Sequence, residues 1–263
     1  MIDEIQVSRL IIETYFEKLK EATSLDVAIC GGGPSGLVAA AHLSRRGMRV
    51  ALFEKKLSLG GGMWAGGMLF NQIIVQPEAA EVLDEFKIRY QEREGLLVAS
   101  AVESVARLII GAREAGCRVF NGISVTDVMV KDKKITGFVI NWGPVQALSE
   151  RGVSLEVDPL VVAAPWTIDA TGHGHEVCRV AQEKGLRLAT RSGKAEGEKS
   201  MWAERAEEMV VKNSRQVYPG LFACGMAANA VFGAPRMGPI FGGMLLSGKK
   251  VAERILHRAG KKK

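Results

Sequence analysis

The stretch that most constrains the fold runs from Asp26 to Gly36 and reads DVAICGGGPSG. An apolar run comes first, three glycines follow, and an Ala/Leu-rich segment continues to about Arg46. This order predicts a strand, a tight turn and a helix. Gly31, Gly33 and Gly36 fill the G-x-G-x-x-G positions. The first glycine of that pattern makes the turn, the second lets the backbone approach a pyrophosphate, and the third lets helix and strand pack closely.

A second apolar strand is predicted from Arg49 to Phe53, and it ends at Glu54. A carboxylate about twenty residues after the glycines can hold a ribose through its hydroxyl groups. The N-terminus of the intervening helix offers free N–H groups and a positive dipole end to the pyrophosphate. Together these features predict a dinucleotide-binding βαβ unit at residues 25–60; the alternative is a glycine-rich turn that binds no ligand.

The rest of the chain is long and apolar enough for one large core, since 47% of its 263 residues are hydrophobic. We expect a single α/β domain over residues 1–263. Helices are also predicted at residues 77–90 and 102–116, and an irregular segment at residues 143–157. The expected parts of the domain beyond the βαβ unit are an N-terminal helix at 1–24, an antiparallel β meander at 118–142, a C-terminal helix at 240–258 and a basic tail at 259–263.

Charge and cysteine content exclude several classes of protein. The formal charge is +6 at pH 7, but Lys261–Lys263 supply part of it and no nucleic-acid-binding signature accompanies it, so no nucleic acid is expected. No apolar run approaches the roughly 18 residues of a membrane span, and the N-terminus does not resemble a targeting signal. Widely spaced cysteines without a C-x-x-C pair argue against disulfides and zinc. We therefore expect a soluble, cytoplasmic protein without a membrane partner. The cysteines are Cys30, Cys117, Cys178 and Cys224.

Two further segments indicate ligand contact. Five glycines fall between Gly60 and Gly67, so little side chain would separate a ligand from the backbone there. Arg236 lies four residues before the start of the predicted C-terminal helix, where its guanidinium and the positive end of the helix dipole would converge. This corner is predicted to bind an anion.

The order of these elements resembles the two-dinucleotide-binding-domain flavoproteins. The resemblance depends on the glycine fingerprint, the turn at Ala170–Gly172 and the late segment Gly220–Gly225. It implies a Rossmann-like α/β fold with a small antiparallel meander. In those proteins the late strand ends in Gly-Asp, whose carboxylate binds the flavin ribityl chain. Here Met226 replaces that Asp, so we expect an adenine dinucleotide other than FAD.

Within that architecture the chain is similar to the thiazole synthases of eukaryotic and archaeal thiamin biosynthesis, over nearly its whole length. Members of that family bind NAD, release nicotinamide, and condense the ADP-ribose with glycine and a sulfur source to an adenylated thiazole carboxylate. The segments that carry this resemblance are Gly60–Met68, Val157–Pro159, Asp169–His173 and Arg236–Pro239.

The resemblance implies a role for each matching residue. Asp158 and His173 match Fe(II) ligands that come from neighbouring subunits, and Arg236 matches the residue that binds the glycine carboxylate. One carboxylate and one imidazole leave an Fe(II) ion open positions, and an Arg fork suits a carboxylate. A homo-oligomer is therefore expected, with an octamer as one candidate. The expected dinucleotide contacts are Gly31, Gly33, Ser35, Gly36, Glu54, Lys55, Gly62, Val125, Glu156, Val157, Asp158 and Met226.

Position 156 departs from the family pattern. Fungal and plant relatives carry there a cysteine that donates its own sulfur, and many archaeal relatives carry histidine, whereas this chain has Glu156. Free sulfide is therefore the expected sulfur source, and Glu156 is a catalytic candidate whose role stays open. Cys178, near His173 in sequence, is the alternative sulfur donor.

Other interpretations of these residues remain open. Asp158 before Pro159 can simply start a turn, His173 can be a structural histidine, and His175 can replace it as the ligand. For the whole chain, the rival functions are an FAD-dependent oxidoreductase and a catalytically idle NAD-binding protein.

Overall fold

A computed structural model describes residues 2–153 and 155–260. Its centre is a six-stranded sheet in which all neighbouring strands are parallel except the antiparallel pair at one edge. In spatial order its strands are β11 (Arg215–Tyr218), β12 (Leu221–Ala223), β10 (Trp166–Asp169), β1 (Val27–Cys30), β2 (Val50–Glu54) and β6 (Arg118–Asn121). The residues of β1 and β2 are all buried, as expected for parallel strands covered on both faces.

Helices cover this sheet, and α2 packs closely against α9. Gly248 of α9 makes this approach possible, since a Cβ there would lie 2.2 Å from the carbonyl oxygen of Ser35. The helices are α1 (Glu4–Glu21), α2 (Pro34–Arg45), α3 (Ala80–Glu85), α4 (Ala101–Glu114), α5 (Gly143–Glu150), α6 (Glu176–Glu183), α7 (Ala203–Asn213), α8 (Met226–Phe232) and α9 (Gly242–Gly260). Short 3₁₀ segments occur at Gly61–Ala65, Pro77–Ala79 and Gly172–Gly174.

Two three-stranded antiparallel sheets flank the central one. The first consists of β3 (Gln72–Val75), β5 (Leu96–Ser100) and β4 (Tyr90–Arg93), and the second of β7 (Ile123–Lys131), β8 (Lys134–Trp142) and β9 (Leu160–Ala163). The architecture is thus the expected α/β, Rossmann-like fold with small antiparallel sheets.

The meander differs from its expected bounds of 118–142 in one strand. Residues 118–121 form β6, which pairs in parallel with β2 in the central sheet, and β9 takes the third place beside β8. Gly122, at φ +73°, turns the chain out of the central sheet between β6 and β7. A strand pattern does not identify the partner of the strand, so the sequence could not distinguish these arrangements.

Two other expectations were wrong. Residues 143–150 form helix α5, which begins with a proline in its first turn, rather than an irregular segment. The helix expected at 77–90 ends at Glu85, and the hairpin of β4 and β5 follows, with Glu94 and Gly95 at positive φ in its turn. Of the expected basic tail, Lys261–Lys263 lie outside the described residues, and α9 continues to Gly260.

Helix α1 buries none of its residues in the single chain. Its exposed apolar side chains include Ile5, Ile11 and Phe16. Among the described residues, no helix combines the length and apolar character that crossing a membrane requires.

Candidate functional site

A cavity of about 660 Å³ opens where the central strands β1, β2, β10 and β12 end. Cys30 and Glu54 line it at the last residues of β1 and β2, while Ala170 and Met226 line it just beyond the ends of β10 and β12. The carboxyl ends of parallel strands are where open α/β sheets bind their ligands, and this volume lies within the usual range of ligand pockets. The fold therefore places the candidate site at this edge.

Each of the three fingerprint glycines occupies its position for a different structural reason. Gly31 is at φ +105°, and a Cβ there would lie 2.4 Å from the carbonyl oxygen of Ala170. Gly36 lets α2 pack on the turn, since its Cβ would lie 2.2 Å from the carbonyl oxygen of Gly31. Gly33 lines the cavity, and a Cβ there would meet no atom within 4 Å. The backbone at Gly33 is thus open to a ligand at the N-terminus of α2.

Glu54 is buried and organises the turn that faces it. Its Oε2 accepts a hydrogen bond from the backbone N–H of Gly32 at 2.9 Å, and its Oε1 accepts one from the N–H of Lys56 at 2.9 Å. Each carboxylate oxygen can accept more than one hydrogen bond. Glu54 can therefore hold both loops and still accept a ribose hydroxyl.

The Lys55 side chain forms an ion pair with Glu176 of α6, with 2.7 Å between Nζ and Oε1. This hydrogen bond raises the pKa of Lys55 above its ordinary value. Both residues line the cavity. Glu176 was not identified from the sequence, because no motif marks it.

A buried carboxylate shapes the turn that carries His173. Asp169 accepts hydrogen bonds at Oδ1 from the N–H of Thr171 at 3.0 Å and from its hydroxyl at 2.7 Å. Its Oδ2 accepts one from the N–H of Cys178 at 2.9 Å. The Thr171 hydroxyl in turn accepts from the N–H of Glu176 at 2.7 Å. These bonds tie the end of β10 to the start of α6 and fix the loop between them.

His173 and Arg236 meet at Glu198. The His173 Nδ1 lies 2.6 Å from the Glu198 Oε1, and the Arg236 Nε lies 3.9 Å from the Glu198 Oε2. The side chains of His173 and Arg236 are each 55% exposed, whereas that of Glu198 is 18% exposed. Both His173 and Arg236 line the cavity. Glu198 was missed from the sequence because it lies in a charged loop without periodicity.

His175 is oriented differently from His173. It sits at φ +34°, its Nδ1 lies 3.1 Å from the carbonyl oxygen of His173, and it is absent from the described cavity lining. Of these two histidines, His173 is the one that faces the cavity.

The Asp158 segment lies apart from this cavity within one chain. Glu156, Val157 and Asp158 are exposed and do not belong to the described lining. The segment is held by the Asn141 amide, which donates to the Val157 carbonyl oxygen at 3.1 Å. Within a single chain, Asp158 therefore does not line the cavity that His173 lines.

The cavity collects most of the other residues predicted to contact the dinucleotide. Gly36 is an exception, because it packs beneath the turn instead. Met226 is 5% exposed and lines the cavity. The predicted residues in the lining are Gly31, Gly33, Ser35, Glu54, Lys55, Gly62, Val125, His173, Met226 and Arg236.

The four cysteines are free and buried. Burial raises the pKa of the Cys30 and Cys178 thiols well above their usual range, and it raises the pKa of Cys117 and Cys224 to about 12. A protonated thiol is a poor nucleophile. The described environment therefore disfavours sulfur donation by any of these side chains, including Cys178.

The chain matches the Thi4 family over residues 8–241. It is 52% identical to the thiamine thiazole synthase of Methanothermobacter thermautotrophicus over 259 residues, covering 98% of each chain. It is 53% identical to that of Desulfosudis oleivorans over 260 residues, again covering 98% of each. The crystal structure of Thermovibrio ammonificans THI4 superposes with a TM-score of 0.95 at 47% identity, covering 99% of this chain and 100% of the other.

Proposed function

This chain belongs to the Thi4 family, its activity is that of a thiamine thiazole synthase, and we propose that it condenses NAD-derived ADP-ribose with glycine and sulfide. Nicotinamide is released, an ADP-linked thiazole carboxylate forms, and Fe(II) serves as the metal. The observation that carries this proposal is one cavity that joins a dinucleotide-binding turn to a histidine and an arginine.

NAD would lie along the ends of the central strands. The backbone at Gly33 and the N-terminus of α2 would receive the pyrophosphate, and Glu54 would accept ribose hydroxyls. Val125 of β7 lines the same cavity and is proposed to contact the adenine. Met226 offers an apolar wall, so the second half of the dinucleotide must be held without the acid that flavoproteins use.

The donor atoms suit a divalent iron. Among the described residues, the His173 ring makes its hydrogen bond through Nδ1, to Glu198, and its Nε2 has no partner. Imidazole nitrogen and carboxylate oxygen are ligands that Fe(II) accepts. Because Asp158 lies outside the cavity of its own chain, we propose that it completes the site of a neighbouring subunit. When bound, Fe(II) would act as a Lewis acid and a template.

Arg236 is proposed to hold the glycine carboxylate, since a guanidinium matches a carboxylate with two parallel hydrogen bonds. Arg236 and His173 both line the cavity, so a glycine held by Arg236 would lie in the same cavity as the proposed metal ligand. The shared contact with Glu198 keeps the two side chains at one end of the cavity.

Sulfide is proposed as the external sulfur source. Glu156 holds no sulfur, and the pKa values of all four thiols are raised, so no side chain is a ready donor. The enzyme would then survive each turnover. Glu156 lies two residues before Asp158 in the sequence and is a catalytic candidate near the proposed metal site.

A cytoplasmic homo-oligomer is part of the proposal. The uncovered apolar side chains of α1 and the exposed apolar residues that flank Asp158, among them Val157 and Leu160, are surfaces that another chain could cover.

The test is anaerobic incubation of the protein with NAD, glycine, Fe(II) and sulfide, followed by counting product per chain and weighing the intact protein. We expect more than one ADP-thiazole per chain and an unchanged protein mass. At most one product per chain, with a protein lighter by one hydrogen sulfide, would refute the use of external sulfide. Absence of any thiazole under these conditions would refute the substrate assignment.

A further inference from the structure

We propose that Glu198 is a positioning residue that fixes the ring tautomer of His173 and the direction of the Arg236 guanidinium. Both side chains would then present their free nitrogens to the cavity. The inference deepens the proposed function and rests on it, because that function gives His173 and Arg236 their roles.

The tautomer follows from the chemistry of the contact. A carboxylate only accepts hydrogen bonds, and the Glu198 Oε1 lies 2.6 Å from the His173 Nδ1. Nδ1 must therefore carry a proton, which leaves Nε2 of the neutral ring with a free lone pair. A metal-ligating histidine commonly donates its other ring N–H to a carboxylate in this way. Without Glu198, the proton would be free to occupy Nε2 and block that lone pair.

The second oxygen of Glu198 orients Arg236. Its Oε2 faces the Nε edge of the guanidinium at 3.9 Å. That edge is one of the two that a guanidinium uses for bidentate binding, so the Nη pair remains for a substrate carboxylate. The Glu198 carboxylate thus lies between the imidazole and the guanidinium, and its negative charge balances the positive charge of Arg236.

The backbone holds Glu198 in this place. The N–H of Lys199 donates to the Ala234 carbonyl at 3.0 Å, and the N–H of Arg236 donates to the Lys199 carbonyl at 3.3 Å. The N–H of Trp202 then donates to the Arg236 carbonyl at 3.1 Å. The loop that carries Glu198 is therefore hydrogen-bonded to the segment that carries Arg236.

The first experiment determines the ring tautomer of His173. Protein labelled at the histidine ring nitrogens is compared by solid-state NMR at alkaline pH as wild type, Glu198→Ala and Glu198→Gln, with His173→Gln to assign the signal. We expect an Nδ1–H ring in wild type and a signal shifted to the Nε2–H form in Glu198→Ala. Glu198→Gln keeps an acceptor oxygen and should retain the Nδ1–H form. An Nε2–H ring in wild type, or no change in Glu198→Ala, would overturn the inference.

The second experiment measures binding. We expect Glu198→Ala to weaken the affinity for Co(II), used as a spectroscopic probe, by about 10- to 100-fold, as for other residues that support metal ligands. Glu198→Ala should also raise the KM for glycine, because it removes the contact that orients the Arg236 guanidinium, and Glu198→Gln should spare Co(II) binding more than Glu198→Ala does. Glu208→Ala, on the exposed face of α7, is the matched control and should leave both values unchanged.

Different results would refute the proposed function and the positioning role of Glu198. Wild-type protein that binds neither NAD nor Co(II) would refute the proposed function, while the tautomer of His173 could still be read in the absence of either ligand. Wild-type protein that makes the thiazole, with Co(II) and glycine affinities that Glu198→Ala leaves unchanged, would refute the positioning role alone.

Discussion

Replacement of Glu54 by glutamine tests the dinucleotide site most directly. Both carboxylate oxygens accept backbone N–H groups at 2.9 Å, from Gly32 and from Lys56. Glutamine has one oxygen and one NH₂ group, so one of the two backbone N–H groups would face another donor. The variant would then lose its charge and misplace one loop of the turn, and we expect NAD to bind more weakly.

The size of the effect follows from the hydrogen bond that a ribose hydroxyl would make to Glu54. A hydrogen bond to a charged group contributes roughly 1.5–3 kcal/mol. Since every 1.4 kcal/mol corresponds to about a tenfold change in affinity, the dissociation constant should rise by roughly 10- to 150-fold. The strained turn can add to this loss, and it should also lower the melting temperature.

Isothermal titration calorimetry with NAD and with ADP-ribose measures the change. Both ligands should lose affinity alike, because Glu54 is expected to touch the part they share. Glu92→Gln, on the exposed strand β4, is the control and should bind as wild type does. A Glu54→Gln protein with a lower melting temperature but unchanged affinity would show that Glu54 only supports the turn.

Three further predictions concern the rest of the site. Asp158→Ala and His173→Ala should abolish Fe(II)-dependent thiazole formation but leave nicotinamide release partly intact, since most of the expected dinucleotide contacts lie on other segments; full turnover in both, measured by product chromatography, would remove the metal assignment. Arg236→Lys should raise the KM for glycine strongly, because a point ammonium cannot reproduce the bidentate fork, and steady-state kinetics with a parental KM would contradict this. The purified protein should show no stoichiometric flavin absorption, because Met226 offers no carboxylate to a ribityl chain; a flavin spectrum would support the rival oxidoreductase.

The glycine fingerprint and its flanking strands could be read from the sequence because they are local. A strand, a turn that needs φ > 0 at Gly31 and a helix with close packing at Gly36 are decided within about twenty consecutive residues. Gly33, whose backbone is open to the cavity, and Glu54, at the end of the second strand, belong to the same βαβ unit. Motifs along the chain predicted the family, and the match to the Thi4 family over residues 8–241 confirms that prediction.

Only the tertiary structure showed which strands pair and which side chains come into contact. The same strand pattern at 118–121 suits a meander or the central sheet, and its parallel pairing with β2 depends on residues far away in the chain. The helix predicted to reach Tyr90 ends at Glu85, and Tyr90 instead begins a hairpin whose strand β5 pairs with both β4 and β3. Burial of the cysteine thiols, with their raised pKa values, likewise arises from packing between elements.

Glu198 illustrates this limit most clearly. In the sequence it is one carboxylate in a charged loop, 25 residues from His173 and without a pattern that pairs it with Arg236. Hydrogen bonds between the backbones of residues 199–202 and 234–236 bring it between them. The sequence by itself predicted the βαβ unit with its glycine turn and named the candidate site residues, because these depend on local spacing and residue chemistry. Only the tertiary structure decided which of those side chains share a cavity and which carboxylate contacts them, because such contacts depend on long-range packing.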